Sequence, residues 1–125
     1  MDDQHTPLPS TAALAYLGDA VYSLYVRRAV LTLGYSHSGN LHAEGQKYVN
    51  AAAQAAAYDR IYEILTEEER AVARRAHNSR HLQKPKHMTV GDYRKATALE
   101  AVFGMLFYTE QKARLDELFA LVFGH

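Results

Sequence analysis

Apolar residues return every three or four positions near the start of the chain, which is the period of an α-helix with one buried face. Pro9 and Ser10 form a start signal, with Ser10 as the N-cap residue. The pattern continues to about Leu31 through four apolar residues, Leu14, Leu17, Val21 and Leu24. Gly34 and the polar stretch 36–39 then interrupt it. The sequence therefore predicts a first helix from Ser10 to about Leu31.

An alanine-rich segment follows and predicts one long helix over about residues 40–65. A stripe of small side chains along it would allow another helix to approach closely; its members are Val49, Ala52, Ala53 and Ala56. Thr66 and Glu69 then have the spacing of a capping box. This signal predicts that a short helix begins there and continues to about Ala76.

The segment 77–89 is polar and contains Pro85, which predicts an extended or mobile loop. Thr89 and Asp92 predict the next helix start, and one face of that helix carries Ala96, Leu99, Phe103 and Leu106. A last helix is predicted to begin at Thr109, with an apolar face formed by Leu115, Leu118, Phe119 and Val122. No segment alternates as a β-strand does. The predicted fold is an all-α bundle of five to seven helices.

Composition narrows the class of protein. The 125 residues, 48% of them hydrophobic, are expected to form a single globular domain over 1–125, with residues 1–9 flexible. The absence of cysteine excludes disulfides, thiolate metal sites and a cysteine nucleophile. The N-terminus has no apolar signal region, and no uncharged apolar run is long enough to span a bilayer. A cytoplasmic location without membrane contact is the expectation.

Charge is unevenly distributed, although the formal net charge is zero. The segment from Arg74 to Lys95 contains one acid, Asp92, and the basic residues Arg74, Arg75, Arg80, Lys84, Lys86, Arg94 and Lys95. This basic window, with a net charge of +6, is the kind of patch that a polyanion would meet. A solvated loop rich in charge accounts for the same pattern equally well. Charge alone leaves both interpretations open.

Asp19 and Glu100 are lone carboxylates, each within an otherwise apolar helical stretch. An unpaired carboxylate that faces a core costs several kcal/mol, so such a residue is usually paired, protonated or bound to a metal. Each acid also lies near a glycine, Gly18 or Gly104, that thins its helix. This pattern predicts a site between two packed helices, and hard oxygen ligands of that kind suit Mg²⁺.

Other chemical motifs are missing from the chain. It lacks a P-loop and the GxGxxG, HExxH and GxSxG patterns. His77 and His81 have the spacing of a metal-binding pair on a helix, but no third ligand lies near them in sequence. Because short spacings often match by accident, zinc binding is the less favoured interpretation.

Four segments together resemble the ribonuclease III superfamily, specifically its small bacterial branch, Mini-ribonuclease III. They occur in the family's order and read ALAYLGDAVYSLYVRR from Ala13, LHAEGQKYVNAAAQA from Leu41, RRAHNSR from Arg74 and YRKATALEAVFGMLFY from Tyr93. The GDAV motif followed some eighty residues later by the ATxxEAxxG pattern is much more specific than GDAV alone. The resemblance also implies an all-α fold.

The resemblance implies roles for individual residues. Asp19 and Glu100 fall on the catalytic acids that bind Mg²⁺, for which Mn²⁺ can substitute. Larger ribonuclease III enzymes carry two further acids where this chain has Ala15 and Thr97, and the small branch also lacks both. Thr97 shares a helix face with Glu100, so its hydroxyl could hold a metal-bound water.

The substrate that the resemblance implies is double-stranded RNA, and the implied role is maturation of the large-subunit (23S) ribosomal RNA precursor. Larger relatives carry a separate double-stranded-RNA-binding domain after the catalytic one, whereas this chain ends at His125. We therefore expect the basic window to supply the RNA contacts.

The resemblance also implies a homodimer in which the aromatic residue three before the GDAV aspartate packs across the interface. That residue is Tyr16. Tyr16, Tyr22 and Tyr25 follow helical spacing around Asp19, so packing within one subunit accounts for Tyr16 as well. The sequence does not separate these two interpretations.

Two rival functions remain at this point. One is a non-catalytic helical RNA-binding or ribosome-associated dimer module with a degenerate site. The other is a plain helical dimer used for protein interaction, which would leave the basic window without a role. The presence of both Asp19 and Glu100 favours the enzyme.

Overall fold

Six α-helices form the fold in the computed structural model, which describes residues 7–79 and 86–123. They are α1 (Thr11–Thr32), α2 (Ser38–Val49), α3 (Ala51–Ile61), α4 (Glu67–His77), α5 (Val90–Tyr108) and α6 (Lys112–Phe123), with a 3₁₀ turn at Tyr62–Ile64 after α3. No β-strand occurs in these described ranges. The predicted all-α architecture is confirmed.

The centre of the bundle is α5, which packs against α1, α3, α4 and α6. Every residue from Ala96 to Leu106 is buried except Glu100, which is partly exposed. Thr89 begins this helix as predicted, because its hydroxyl accepts a hydrogen bond from the backbone N–H of Asp92 at 3.0 Å. The four residues predicted to form its apolar face are all buried.

Helix α1 begins as predicted, with the Ser10 hydroxyl accepting from the backbone N–H of Ala13 at 3.1 Å. Its predicted buried face is partly wrong, since Leu24 is 61% exposed and Leu17 only partly buried. The residues that face the bundle are Leu14, Ala15, Gly18, Val21, Tyr22, Tyr25, Val26 and Val30. Because α1 has apolar residues on more than one side, the spacing of those residues did not identify the side that packs against the bundle.

The long helix predicted over residues 40–65 is wrong, because the chain divides into α2 and α3 at Asn50. Asn50 has an extended backbone, and its side-chain oxygen accepts from the N–H of Ala53 at 2.8 Å. Its side-chain amide also donates to the carbonyl of Gln46 at 2.9 Å. One asparagine therefore satisfies backbone groups of both helices, which offsets the cost of breaking the helix. The predicted small-residue stripe is also wrong, as Ala52 and Ala56 are exposed.

Helix α4 begins with the predicted capping box between Thr66 and Glu69, in which both reciprocal hydrogen bonds are present. The buried Glu69 carboxylate also receives two hydrogen bonds from the Arg114 guanidinium, at 2.8 and 2.9 Å. Although burial acts in the opposite direction, these bonds and those from Thr66 lower the pKa of Glu69. This ion pair joins the start of α4 to α6.

The last helix begins at Lys112 and not at Thr109 as predicted. Thr109 instead ends α5, and its hydroxyl donates to the carbonyl of Met105 at 2.7 Å. The chain turns at Glu110, whose φ of 61° lies in the left-handed region. The apolar residues predicted for the last helix, Leu115, Leu118, Phe119 and Val122, are all buried.

Several expectations concern residues outside the described ranges. They include most of the segment 1–9, expected to be flexible, and the centre of the loop 77–89 with Arg80, His81, Lys84 and Pro85. Among the residues that are described, none of the helices has the length and apolar character needed to cross a membrane.

Candidate active site

The site is built where α1 crosses α5 at a pair of glycines. A Cβ atom on Gly18 would overlap the backbone carbonyl of Glu100, and one on Gly104 would overlap the carbonyl of Leu14. Because neither position has room for a methyl group, the two backbones touch directly. This contact is the reason that each predicted site acid stands near a glycine, and it fixes the separation of the two helices.

Asp19 and Glu100 come together at this crossing, as the sequence predicted. The two carboxylates lie close enough to form a side-chain hydrogen bond. Their environments differ, however, because Asp19 is exposed and Glu100 is only partly exposed. The interpretation that both acids face a core is therefore wrong for Asp19, which projects from the edge of the crossing towards solvent.

The surroundings of Glu100 disfavour its charged form. Burial, followed by the charge of Asp19, raises the pKa of Glu100 to about 7. One group opposes this rise: the Gln54 side-chain amide of α3 donates to Glu100 Oε2 at 3.2 Å. Two acids in contact, one of them largely withdrawn from water, form a strongly anionic locus that a cation would stabilise.

The donor set fits a hydrated Mg²⁺ ion better than a metal that is enclosed by protein ligands. Within the described ranges, no group of three or more His, Cys, Asp or Glu side chains could hold a metal ion. Mg²⁺ usually keeps several waters and is bound by one or two carboxylates, so Asp19 and Glu100 are a sufficient pair. Zinc would need more protein ligands, and the partner proposed for His77 lies outside the described residues.

Thr97 is buried on α5, one turn before Glu100, and its hydroxyl donates to the carbonyl of Tyr93 at 2.9 Å. The hydroxyl proton is thus already used within the helix, and only the oxygen lone pairs remain for a water. Ala15, the other position at which larger enzymes carry an acid, is also buried, on α1. Within the part of the chain that the structure describes, neither position adds an acid to the pair formed by Asp19 and Glu100.

The basic window divides into two groups in the structure. Arg94 donates to the backbone carbonyls of His77 and Ser79, and Lys95 forms an ion pair with Asp59 at 2.9 Å. These two cations therefore stabilise the fold locally. Arg74, Arg75 and Lys86 are exposed, and Arg80 and Lys84 lie outside the described residues.

The three tyrosines near Asp19 have different environments. Tyr22 and Tyr25 are buried in the core, where both make edge-to-face contacts with Phe119. Tyr25 also donates to Asp116 at 2.9 Å. Tyr16 is 84% exposed, so packing within its own subunit does not account for it.

An apolar groove of about 700 Å³ lies between α1 and the turn that joins α5 to α6. Its apolar lining includes Leu17, Leu24, Phe107 and Tyr108, of which all but Leu17 are largely exposed. Such a contiguous exposed apolar surface is typical of a protein interface.

Sequence reasoning did not identify Gln54 as a site residue. The residue stands in the run AAAQAAA, where it is the only polar side chain. A single polar residue within an alanine-rich helix resembles the lone acids Asp19 and Glu100. This isolation is the sequence signal by which Gln54 could have been identified as a site residue.

Comparison with known proteins agrees with this geometry. The Ribonuclease III domain family matches residues 12–111, a range that contains both acids and both glycines of the crossing. A crystal structure of a protein from Fusobacterium nucleatum superposes with a TM-score of 0.85 at 33% identity, covering 93% of this chain and 94% of that one.

Curated relatives from several bacteria carry the name Mini-ribonuclease 3. The protein from Streptococcus pneumoniae is 43% identical over 108 residues, which cover 85% of this chain and 84% of the relative. The protein from Thermoanaerobacter sp. (strain X514) is 41% identical over 112 residues, covering 90% of this chain and 79% of the relative. With an all-helical fold and a match over most of its length, this chain belongs to the Mini-ribonuclease 3 branch of the ribonuclease III family and is an endoribonuclease.

Proposed function

We propose that this endoribonuclease cleaves double-stranded RNA in a Mg²⁺-dependent reaction, with Asp19 and Glu100 as the catalytic residues that hold the ion. Mn²⁺ is expected to substitute. The observation that carries the proposal is the direct approach of these two carboxylates where α1 crosses α5. A water nucleophile needs no cysteine or serine, so a site of two acids is chemically sufficient.

The two acids have complementary tasks in this proposal. A Mg²⁺ ion, when bound, would supply an activated water and neutralise charge that develops on the phosphate. Glu100, which is partly buried and accepts from Gln54, would provide the ligand on α5. Asp19, which is exposed at the edge of the crossing, would provide the ligand on the side open to a phosphodiester from solvent.

The proposed RNA-binding surface is the basic window, because A-form RNA is recognised mainly through its shape and backbone. Of its seven cations, the exposed Arg74, Arg75 and Lys86 are the described residues available to phosphate. Arg94 and Lys95 are expected to contribute less, since each already has a protein partner. Arg80 and Lys84 are included on sequence alone.

The natural substrate that we propose is the precursor of the large-subunit (23S) ribosomal RNA, in the cytoplasm. This assignment is supported by the family resemblance. We further propose a homodimer with Tyr16 at its interface, because a cut on each strand of a duplex needs two sites related by a two-fold axis. The exposure of Tyr16 supports this proposal.

Cleavage of end-labelled duplex RNA tests the catalytic proposal. We expect products with Mg²⁺, none with chelator, and none from Asp19→Asn or Glu100→Gln, whereas both variants should still bind the duplex. Glu63→Gln is a matched control, because Glu63 is an exposed acid of the 3₁₀ turn after α3 and not of the crossing between α1 and α5. Duplex binding without cleavage at any Mg²⁺ concentration would favour the non-catalytic module instead.

A further inference from the structure

Gln54 is a buried residue of α3 that carries an amide side chain. It is 5% exposed, while the other buried residues of this helix are Ala55, Ala57, Tyr58 and Ile61. An amide placed in such surroundings without a hydrogen bond costs roughly 1–3 kcal/mol. Its placement therefore requires a hydrogen-bond partner.

That partner is Glu100. The Gln54 amide Nε2 donates to Oε2 of Glu100 at 3.2 Å, across the contact between α3 and α5. The two residues are 46 positions apart in sequence, so this bond between side chains is a tertiary contact. Because the amide donates to Oε2, the bond favours one orientation of the carboxylate.

The break between α2 and α3 sets the position of Gln54. Asn50 caps α3 through its side chain, and its carbonyl accepts from the backbone N–H of Gln54 at 2.9 Å. Gln54 thus lies in the first turn of a helix whose start is fixed by a specific cap. This cap determines the face on which the amide projects, and that face is the one packed on α5.

We infer that Gln54 is a positioning residue, which holds the Glu100 carboxylate so that one oxygen faces the ion shared with Asp19. The inference rests on the proposed function of the two acids. Groups that orient a metal-binding side chain from behind typically change metal affinity or activity by 10–100-fold when they are removed. A purely structural glutamine would affect folding and leave ion binding unchanged.

The test is ion binding by the RNA-free protein, measured for Mn²⁺ from the electron paramagnetic resonance signal of the free ion and for Mg²⁺ by titration calorimetry. Gln54→Met keeps the length and volume of the side chain and removes the donor. We expect affinity for either ion to fall about tenfold or more. The melting temperature in chelator should stay within a few degrees of the wild-type value.

Gln46→Met is the matched control, since Gln46 is an exposed residue of α2 and only its backbone carbonyl accepts from the Asn50 side chain. In a Glu100→Gln background, adding Gln54→Met should cause no further loss of ion binding, because the carboxylate that it orients is gone. If Gln54→Met does not fold, Gln54→Asn gives the same test with an amide that is one methylene too short to reach Glu100.

Two failures are distinguishable. Wild-type ion binding and duplex cleavage, with unchanged affinity in a folded Gln54 variant, would overturn the positioning role and leave the proposed function intact. A wild-type protein that binds neither ion and cleaves no duplex with either present would remove both proposals.

Discussion

At the scale of single residues, the site is a place where burial and charge act against stability. Glu100 is partly buried beside Asp19, and both effects favour its protonated form. An acid whose pKa is raised on folding makes the folded state less stable as pH increases from its ordinary value to the raised one. In the metal-free protein, the charged Glu100 side chain therefore lowers the free energy of unfolding above about pH 7.

Glu100→Gln should consequently raise stability in chelator at pH 8. Glutamine keeps an oxygen that can accept from Gln54 and removes the charge next to Asp19. We expect a gain of about 1–2 kcal/mol, discounted for the partial exposure of Glu100. Denaturant unfolding at pH 8 and pH 5 measures this gain. The gain should shrink at pH 5, where Glu100 is protonated in the wild type.

Glu63→Gln is the control, because Glu63 is an exposed acid, and it should change the free energy of unfolding by less than about 0.5 kcal/mol. Equal stability of Glu100→Gln and wild type at pH 8 would mean that the pair carries no repulsion.

At the scale of helices, the start signals that act within three residues were predictable from sequence. Ser10, Thr66 and Thr89 each cap a helix through a side chain bonded to a backbone N–H three residues later. Asn50 caps α3 in the same way. It was not predicted as a helix start because the high helix propensity of the neighbouring alanines favoured one continuous helix. Which side of α1 is buried was not predictable, because that depends on its contact with α5.

The candidate site also has one part that the sequence predicts and one part that depends on helix packing. The pairing of Asp19 and Glu100 was predictable because a lone acid in an apolar helix needs a partner, and the nearby glycines let two such helices approach closely. The isolation of Gln54 among alanines indicated a residue that needs a partner, but the sequence does not identify that partner, because the contact with Glu100 depends on how α3 packs against α5.

The glycine pair at the helix crossing leads to an element-scale prediction. Gly18→Ala would place a methyl group against the backbone of Glu100, which cannot move aside as a flexible side chain could. We expect a loss of about 3 kcal/mol or more in unfolding free energy, together with weaker Mn²⁺ binding as α1 and α5 separate. Denaturant unfolding and the electron paramagnetic resonance titration measure the two effects.

Gly45→Ala is the control for this change. Gly45 lies within α2, and a Cβ there would meet no atom within 4 Å. Alanine should stabilise the helix by about 0.5–1 kcal/mol. Tolerance of Gly18→Ala with unchanged ion binding would contradict the direct backbone contact.

At the scale of the whole molecule, two apolar features lie along α1. Tyr16 of this helix is exposed, and the apolar groove lies between α1 and the turn that joins α5 to α6. A second copy of the chain would remove them from water and would bring two acidic sites into one particle. We expect a dimer in sedimentation equilibrium. Tyr16→Ala should weaken it by about 2 kcal/mol, the scale of a central aromatic contact. Tyr35→Ala, just beyond the far end of α1, should leave it unchanged. A wild-type monomer that cleaves duplex RNA would exclude the dimer as the active form.

The basic window should make RNA binding steeply dependent on salt, because each phosphate contact releases counterions. Replacing Arg74, Arg75 and Lys86 together by alanine removes the exposed cations that the structure describes in this window. We expect weaker binding to every duplex sequence and a slope of log affinity against log salt that is less steep by roughly two to three. The melting temperature should barely change, since exposed charges contribute little to stability.

Filter binding from about 50 to 200 mM salt on two unrelated duplexes, with chelator present to prevent cleavage, measures both the affinity and the slope. Arg27→Ala is the control, because Arg27 is an exposed arginine of α1 outside the basic window, and the slope should stay at the wild-type value. The two duplexes should lose affinity equally, since contacts to the backbone do not depend on base sequence. An unchanged slope in the triple variant would move the RNA-binding surface away from the window and make it a solvated loop.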